Sequence, residues 1–164
     1  MIRLVRKTCL SLLLIVLGFQ LNAQMTIPIG ESCSGEDIIP VNTFYSYGYS
    51  QTIFTSDELV AGEITSISYK YNDNLPATVS SQIYLGEVSR NMFANNSDFV
   101  SADSLTQVFS GNVVFSNGWV TITFDTPFDY SGESNLVVAY LNNSGAMTDV
   151  TECLILVLLL EIKQ

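Results

Sequence analysis

Residues 112–124 read NVVFSNGWVTITF, and the fold class turns on them. Asn117 and Gly118 are the residue types that accept positive φ at both central positions of a type I′ turn, and β-prone residues flank them on either side. A two-residue loop here predicts a hairpin with Phe115 opposite Val120 and Val113 opposite Ile122, Ser116 facing Trp119 and Val114 facing Thr121. The two apolar pairs then share one face, so turn chemistry and hydrophobic alternation agree.

The same period of two recurs on both sides of this stretch. In residues 65–71, Ile67, Tyr69 and Tyr71 alternate with Ser66, Ser68 and Lys70, and residues 82–88 alternate around Ile83 and Leu85. Residues 136–141 are apolar on both parities, the pattern of a central strand covered on both faces. Residues 44–49 and 51–54 predict an edge pair, and residues 106–110 a further strand. Ser56-Asp57-Glu58-Leu59 predicts one helical turn capped by Ser56. Eight or nine short strands, divided by Gly, Asn, Asp and Ser, predict an all-β fold built as a two-layer antiparallel β-sandwich.

Ahead of this region lies a different kind of segment. Arg3, Arg6 and Lys7 precede an apolar run over residues 10–19, broken only by Ser11 and Gly18. The run suits the core of a secretory signal and is too short for the roughly 20 residues that span a bilayer. Leu21-Asn22-Ala23 reads as the cleavage site, leaving Gln24 as the new N-terminus. Cys9 precedes the apolar run and so cannot be a lipid-modified cysteine. The expected organisation is a signal peptide over residues 1–23, a lead-in over 24–42, the β-sandwich over 43–149, and an atypical apolar tail over 150–164. Within that tail, residues 153–160 are eight consecutive apolar residues. They read as a buried final strand, a membrane-facing tail, or an altered or truncated end of the module. The last is favoured, and eight residues cannot cross a membrane.

Three of the six basic residues fall within residues 1–23, whereas all 16 acidic residues follow, so the processed chain carries three positive charges against sixteen negative, a formal −13. Such a surface repels phosphate backbones and anionic lipid, so neither nucleic acid nor stable membrane insertion of the processed chain is expected. The 141 residues left from 164 after cleavage fit one domain that buries roughly 68–70% of its unfolded surface. Of the three cysteines, Cys33 and Cys153 survive cleavage. An oxidising compartment would permit a disulfide between them, and two separate thiols are the alternative.

The chain contains no histidine, which excludes Ser-His-Asp and Cys-His catalysis and histidine zinc sites. Two cysteines are too few for a four-thiolate zinc site, and no phosphate-binding glycine loop occurs. A pair of carboxylates could still cleave a glycoside, but sixteen acidic residues make such a pair uninformative. No enzymatic activity is expected.

Two binding features remain. The hairpin register puts Trp119 on the face opposite Phe115 and Val120, where an exposed indole could stack on a sugar, with Tyr84 as a second ring pointing away from Ile83 and Leu85. The alternative is that a second sheet covers Trp119 or that it caps the end of the sandwich, since large aromatics usually fill cores. Structural calcium is the one candidate cofactor, with Asp73, Asp125 and Asp129 as candidate ligands from oxygen-rich stretches that turn chemistry alone would also explain.

One succession of motifs is more specific than its parts. It comprises Ile83-Tyr84-Leu85-Gly86, Phe93, Ser97-Asp98-Phe99 and Val108-Phe109-Ser110-Gly111, then GWVTITFDTPF over residues 118–128, Tyr130, Gly132 and Asn135-Leu136-Val137-Val138-Ala139. It begins near Tyr47 and Ser50-Gln51-Thr52-Ile53-Phe54 and runs to Gly145. This succession resembles a module of secreted surface proteins of gut and oral anaerobic Gram-negative bacteria, found beside fibronectin type III repeats and gingipain-type cleaved-adhesin domains. The resemblance implies a jelly-roll-like sandwich exported to the cell surface or medium, or periplasmic if no second export signal acts. It implies no reaction and no catalytic residues. The expected function is a non-catalytic adhesion or interaction module whose partner is a host or cell-surface protein or glycan. A carbohydrate-binding module is the alternative, and a glycoside hydrolase a distant third.

Overall fold

Side chains that alternate between apolar and polar along the chain are realised as strands, and the strands pair into two antiparallel sheets. The computed structural model describes residues 22–28, 40–41, 45–71, 74–145, 154–155 and 157–163, at the level of the backbone for 22–28, 154–155 and 157–163. The strands are β1 (Asn22–Pro28), β2 (Gly48–Phe54), β3 (Gly62–Tyr71), β4 (Ala77–Val88), β5 (Thr106–Phe115), β6 (Gly118–Tyr130), β7 (Asn135–Asn142), β8 (Leu154–Ile155) and β9 (Val157–Lys163). The first sheet has the order β1-β9-β3-β6, with β8 alongside β3, and the second has the order β2-β7-β4-β5. Among the described residues there is no α-helix, only a 3-10 turn at Ala102–Ser104, and no helix long and apolar enough to cross a membrane.

The inward side chains of both sheets form one apolar cluster. Ile64, Ile67, Tyr69 and Tyr71 of β3 and Val120, Ile122 and Phe124 of β6 join Phe54, Val79, Ile83, Leu85, Val113, Phe115, Val138 and Tyr140 of the second sheet. The contact between sheets is explicit at Tyr69 and Tyr140, whose rings meet edge to face at 6.0 Å, and at Tyr71 and Phe115, at 5.8 Å. Each fully buried large apolar side chain of this kind contributes about 1.5–3 kcal/mol.

The hairpin expected at Asn117-Gly118 does not form. β5 pairs with β4 and β6 pairs with β3, so Ser116 and Asn117 carry the chain from one sheet to the other. Of the two expected turn residues, Asn117 and Gly118, only Gly118 takes a positive φ, at 109°, and no non-glycine residue among those described does. Even so, Val113, Phe115, Val120 and Ile122 are all buried, as the alternation requires. The period of two settles which side chains face inward but not whether two inward sets lie side by side or face each other across the core. Both strands find apolar partners elsewhere: Val79 and Ala77 lie opposite Val113 and Phe115, and Tyr69 and Ile67 opposite Val120 and Ile122.

Other expectations are met or refined. β7 lies between β2 and β4, and its residues 136–140 are buried on both parities. The expected edge pair is one edge strand, β2, which pairs with β7. β5 runs unbroken through residues 106–115, with the extra residue Val108 opposite the step from Ile83 to Tyr84. This bulge shifts the parity, so that Val108 and, further on, Val113 and Phe115 can all turn inward. A second irregularity in β6, at residues 124–127, includes Pro127, which lacks a ladder N–H and is tolerated on an edge strand. Asp125 in this irregularity accepts a hydrogen bond from the Ser110 N–H at 2.9 Å and so ties β6 to β5. Thr55, not Ser56, closes the turn at residues 55–58: its N–H and hydroxyl donate to the Glu58 carboxylate at 2.7 and 2.8 Å. In the C-terminal segment, β9 is hydrogen-bonded to β1 on one side and to β3 on the other.

Candidate functional site

The candidate site begins with two small apolar residues on the wrong side of a sheet. Leu136, Val138 and Tyr140 of β7 face the core, so Val137 and Ala139 face away from it, yet both are fully buried. The long connection between β4 and β5, residues 89–105, lies over this outer face. Leu105 packs against Gly86, where an added Cβ would stand 2.5 Å from its Cδ2, so glycine is what admits the covering side chain. From the edge strand, Gln51 holds the connection as a strand would: its Oε1 accepts the Val100 N–H at 2.8 Å and its Nε2 donates to the Val100 carbonyl at 2.9 Å. Gln51 Nε2 also donates to the Tyr49 hydroxyl at 2.7 Å, and the Tyr49 ring meets Phe99 at 5.4 Å with a tilt of 49°.

The connection is ordered from within by Asp98. Its carboxylate accepts from Arg90 Nη1 at 2.7 Å and from the Ala94 N–H at 2.8 Å. These bonds, the Ala94 N–H foremost and then the Arg90 guanidinium, hold the Asp98 carboxyl below the usual carboxylate range. The Arg90 guanidinium in turn lies 4.8 Å from the centre of the Phe93 ring. Asn95 closes the tip, accepting the Ser97 N–H on its side chain at 2.9 Å and the Asp98 N–H on its carbonyl at 3.1 Å.

Between β2 and residues 93–99 these contacts leave an open cleft of about 560 Å³, walled by Tyr49, Phe93 and Phe99 and edged by the amides of Gln51, Asn95 and Asn96. Its size falls within the roughly 300–1,000 Å³ of small-molecule sites. Tyr49 and Phe99 are 39% and 47% exposed, so their rings are presented to solvent rather than consumed by the core. Tyr45 and Tyr47 precede Tyr49 at alternate positions and are exposed as well. Asp98 is the one carboxylate among the described residues of the wall, and Arg90 neutralises it.

The residues singled out from the sequence are placed as follows. Trp119 is half exposed on the outer face of the first sheet, opposite Lys70. Tyr84 is half-buried on the outer face of the second sheet, its hydroxyl donating to Gln82 Oε1 at 2.6 Å, in the cross-strand row of Ala139 and Gln51. The two rings are therefore not brought together, and Tyr84 shares its face with the cleft. Asp125 and Asp129 are exposed on β6, Asp125 engaged with Ser110 and Asp129 opposite Glu63. Among the described residues no three His, Cys, Asp or Glu side chains gather into a group that could hold a metal. Asp73, Cys33 and Cys153 lie outside the described residues.

Sequence reasoning missed Tyr49, Gln51 and Phe99. The available signal was Tyr45-Ser46-Tyr47-Gly48-Tyr49, three aromatics at alternate positions with only small residues between, which marks an aromatic face on an edge segment. No family model matches the chain, and the search of curated proteins finds no match.

Proposed function

We propose that this chain is an exported, non-catalytic adhesion or interaction module of a bacterial surface or secreted protein, folded as a jelly-roll-like β-sandwich and acting at the cell surface or in the medium. The observation that carries the reading is the cleft between β2 and residues 93–99. A connection of this length is held down by side-chain bonds from Gln51 and by its own Asp98 network, and the outcome is a firm recess with aromatic walls. Firm recesses with exposed rings and few charges suit binding, because little ordering entropy is lost when a partner docks. The same chemistry disfavours hydrolysis: Asp98 is committed to Arg90 and the Ala94 N–H, and among the described residues no second carboxylate lines the wall. The export signal at residues 1–23 and the resemblance of residues 47–145 to surface-protein modules give the setting.

The test is solid-phase binding of the chain processed after Ala23 to intact epithelial cells and to immobilised matrix proteins. Saturable binding that falls in the Tyr49→Ala/Phe99→Ala double variant is expected. Absence of saturable binding to any of these surfaces would refute the proposal.

A further inference from the structure

We infer that the cleft between β2 and residues 93–99 takes a neutral saccharide, with a sugar ring laid against Tyr49 and Phe99. The inference rests on the reading of this cleft as the binding surface and names the chemistry of what it binds. Three observations converge on it. The first is charge. The processed chain is strongly acidic, which repels anions, yet the single carboxylate among the described residues of the cleft is already matched by Arg90 at 2.7 Å, which leaves none of them with free charge to hold a cation. A ligand without net charge loses nothing in such a recess.

The second observation is the pair of rings. An aromatic face is electron-rich, and the axial C–H hydrogens of a sugar ring are weakly positive, so the two stack with the hydroxyls directed sideways. Tyr49 and Phe99, tilted by 49° and both well exposed, form an angled wall of this kind. A flat apolar ligand would satisfy the rings equally but would waste the amide rim. The third observation is that rim. Gln51 spends its amide on Val100 and Tyr49, which fixes the Tyr49 hydroxyl as an acceptor toward Gln51 and leaves its proton free to donate outward. Asn96 is exposed at the cleft and hydrogen-bonded to nothing among the described residues, so its amide offers a donor and an acceptor side by side, the pattern that adjacent sugar hydroxyls match.

The experiment is a glycan array followed by calorimetry with the free oligosaccharides retained, using the chain processed after Ala23. Tyr49→Ala, Phe99→Ala and Asn96→Ala are compared with Trp119→Ala, which lies on the other sheet. The expected result is retention of neutral glycans, a loss of about tenfold or more in affinity in Tyr49→Ala and Phe99→Ala, a smaller loss in Asn96→Ala, and no change in Trp119→Ala. Asn96 is exposed and its side chain holds no hydrogen bond among the described residues, so its variant remains informative if an aromatic variant is unstable. Retention of charged glycans only, or affinity that survives all three cleft variants, would overturn the assignment. Silence on the array would also overturn it, and if cell binding is still lost in Tyr49→Ala/Phe99→Ala, the adhesive reading stands while the saccharide does not.

Discussion

Tyr69 and Tyr140 meet edge to face at the centre of the core, and deleting the same atom from each is expected to have opposite effects. The Tyr69 hydroxyl is fully buried and has no hydrogen-bond partner among the described residues. A buried polar group left unpaired costs about 1–3 kcal/mol, so Tyr69→Phe, which keeps the ring and its contact at 6.0 Å, is expected to stabilise the fold by that amount. The Tyr140 hydroxyl is bonded to Ser81 Oγ, and Ser81 itself donates to the Val79 carbonyl at 3.1 Å. Tyr140→Phe therefore loses one bond, about 0.5–1.5 kcal/mol, without orphaning Ser81. Urea unfolding followed by tryptophan fluorescence reads both. With an m-value of about 2 kcal/mol/M, a gain of about 2 kcal/mol moves the midpoint up by about 1 M. A Tyr69→Phe midpoint below that of the unaltered chain would refute the reasoning. The same burial raises both phenols above their ordinary range, Tyr69 most strongly. Because the folded values are raised, the neutral phenols contribute stability that is intact below pH of about 10 and is lost as pH rises further. Alkaline titration monitored by phenolate absorbance should show these two groups ionising only with unfolding.

Two further expectations bear on loops. Gly132 has φ 76°, and a Cβ there would stand 2.9 Å from Ala61 Cβ and 3.3 Å from the Ala61 nitrogen, so Gly132→Ala is expected to cost roughly 1–3 kcal/mol. At Gly118, with φ 109°, a Cβ would meet nothing within 4 Å, so Gly118→Ala should cost less, about 1 kcal/mol of backbone strain with no added clash. Equal shifts in urea midpoint would contradict this ordering. The Asp98 carboxyl is held low, so the order it imposes on residues 90–98 is complete above its unfolded value of roughly 3.9 and is lost as pH falls through the depressed folded value. The Ala94 amide resonance should titrate with it in acid and become pH-independent in Asp98→Asn.

The sequence made the inward faces legible because alternation is a property of each strand alone. Ile67 and Tyr69, Ile83 and Leu85, Val113 and Phe115, and Val120 and Ile122 are all buried as the pattern requires. Partner choice was not legible, since it depends on what else in the chain offers an apolar row. Asn117-Gly118 is as compatible with a crossing between sheets as with a tight hairpin, and β3 and β4 supplied the competing partners. Trp119 could be put on an outer face from parity, but nothing local says that Tyr84 belongs to the other sheet. The cleft was hidden for the same reason: it exists because Gln51 reaches Val100, 49 residues away, and because a connection without regular structure folds over the sheet. No periodicity encodes such a contact.

The crossing between β5 and β6 also governs how the chain can acquire its structure. Among the described strands, the only consecutive two that pair with each other are β4 and β5, and residues 89–105 separate them. Every other ladder joins distant segments, with Gly48 opposite Asn142 as an example. High contact order of this kind places folding in the millisecond-to-second range, because loop-closure entropy is lost before any pairing compensates it. During synthesis at roughly 5–20 residues per second, β2 waits on the order of 5–20 s for the strand it will pair with. A chain whose sheets cannot close until β7 and β9 have been made passes a long interval in which it holds no native sheet to unfold.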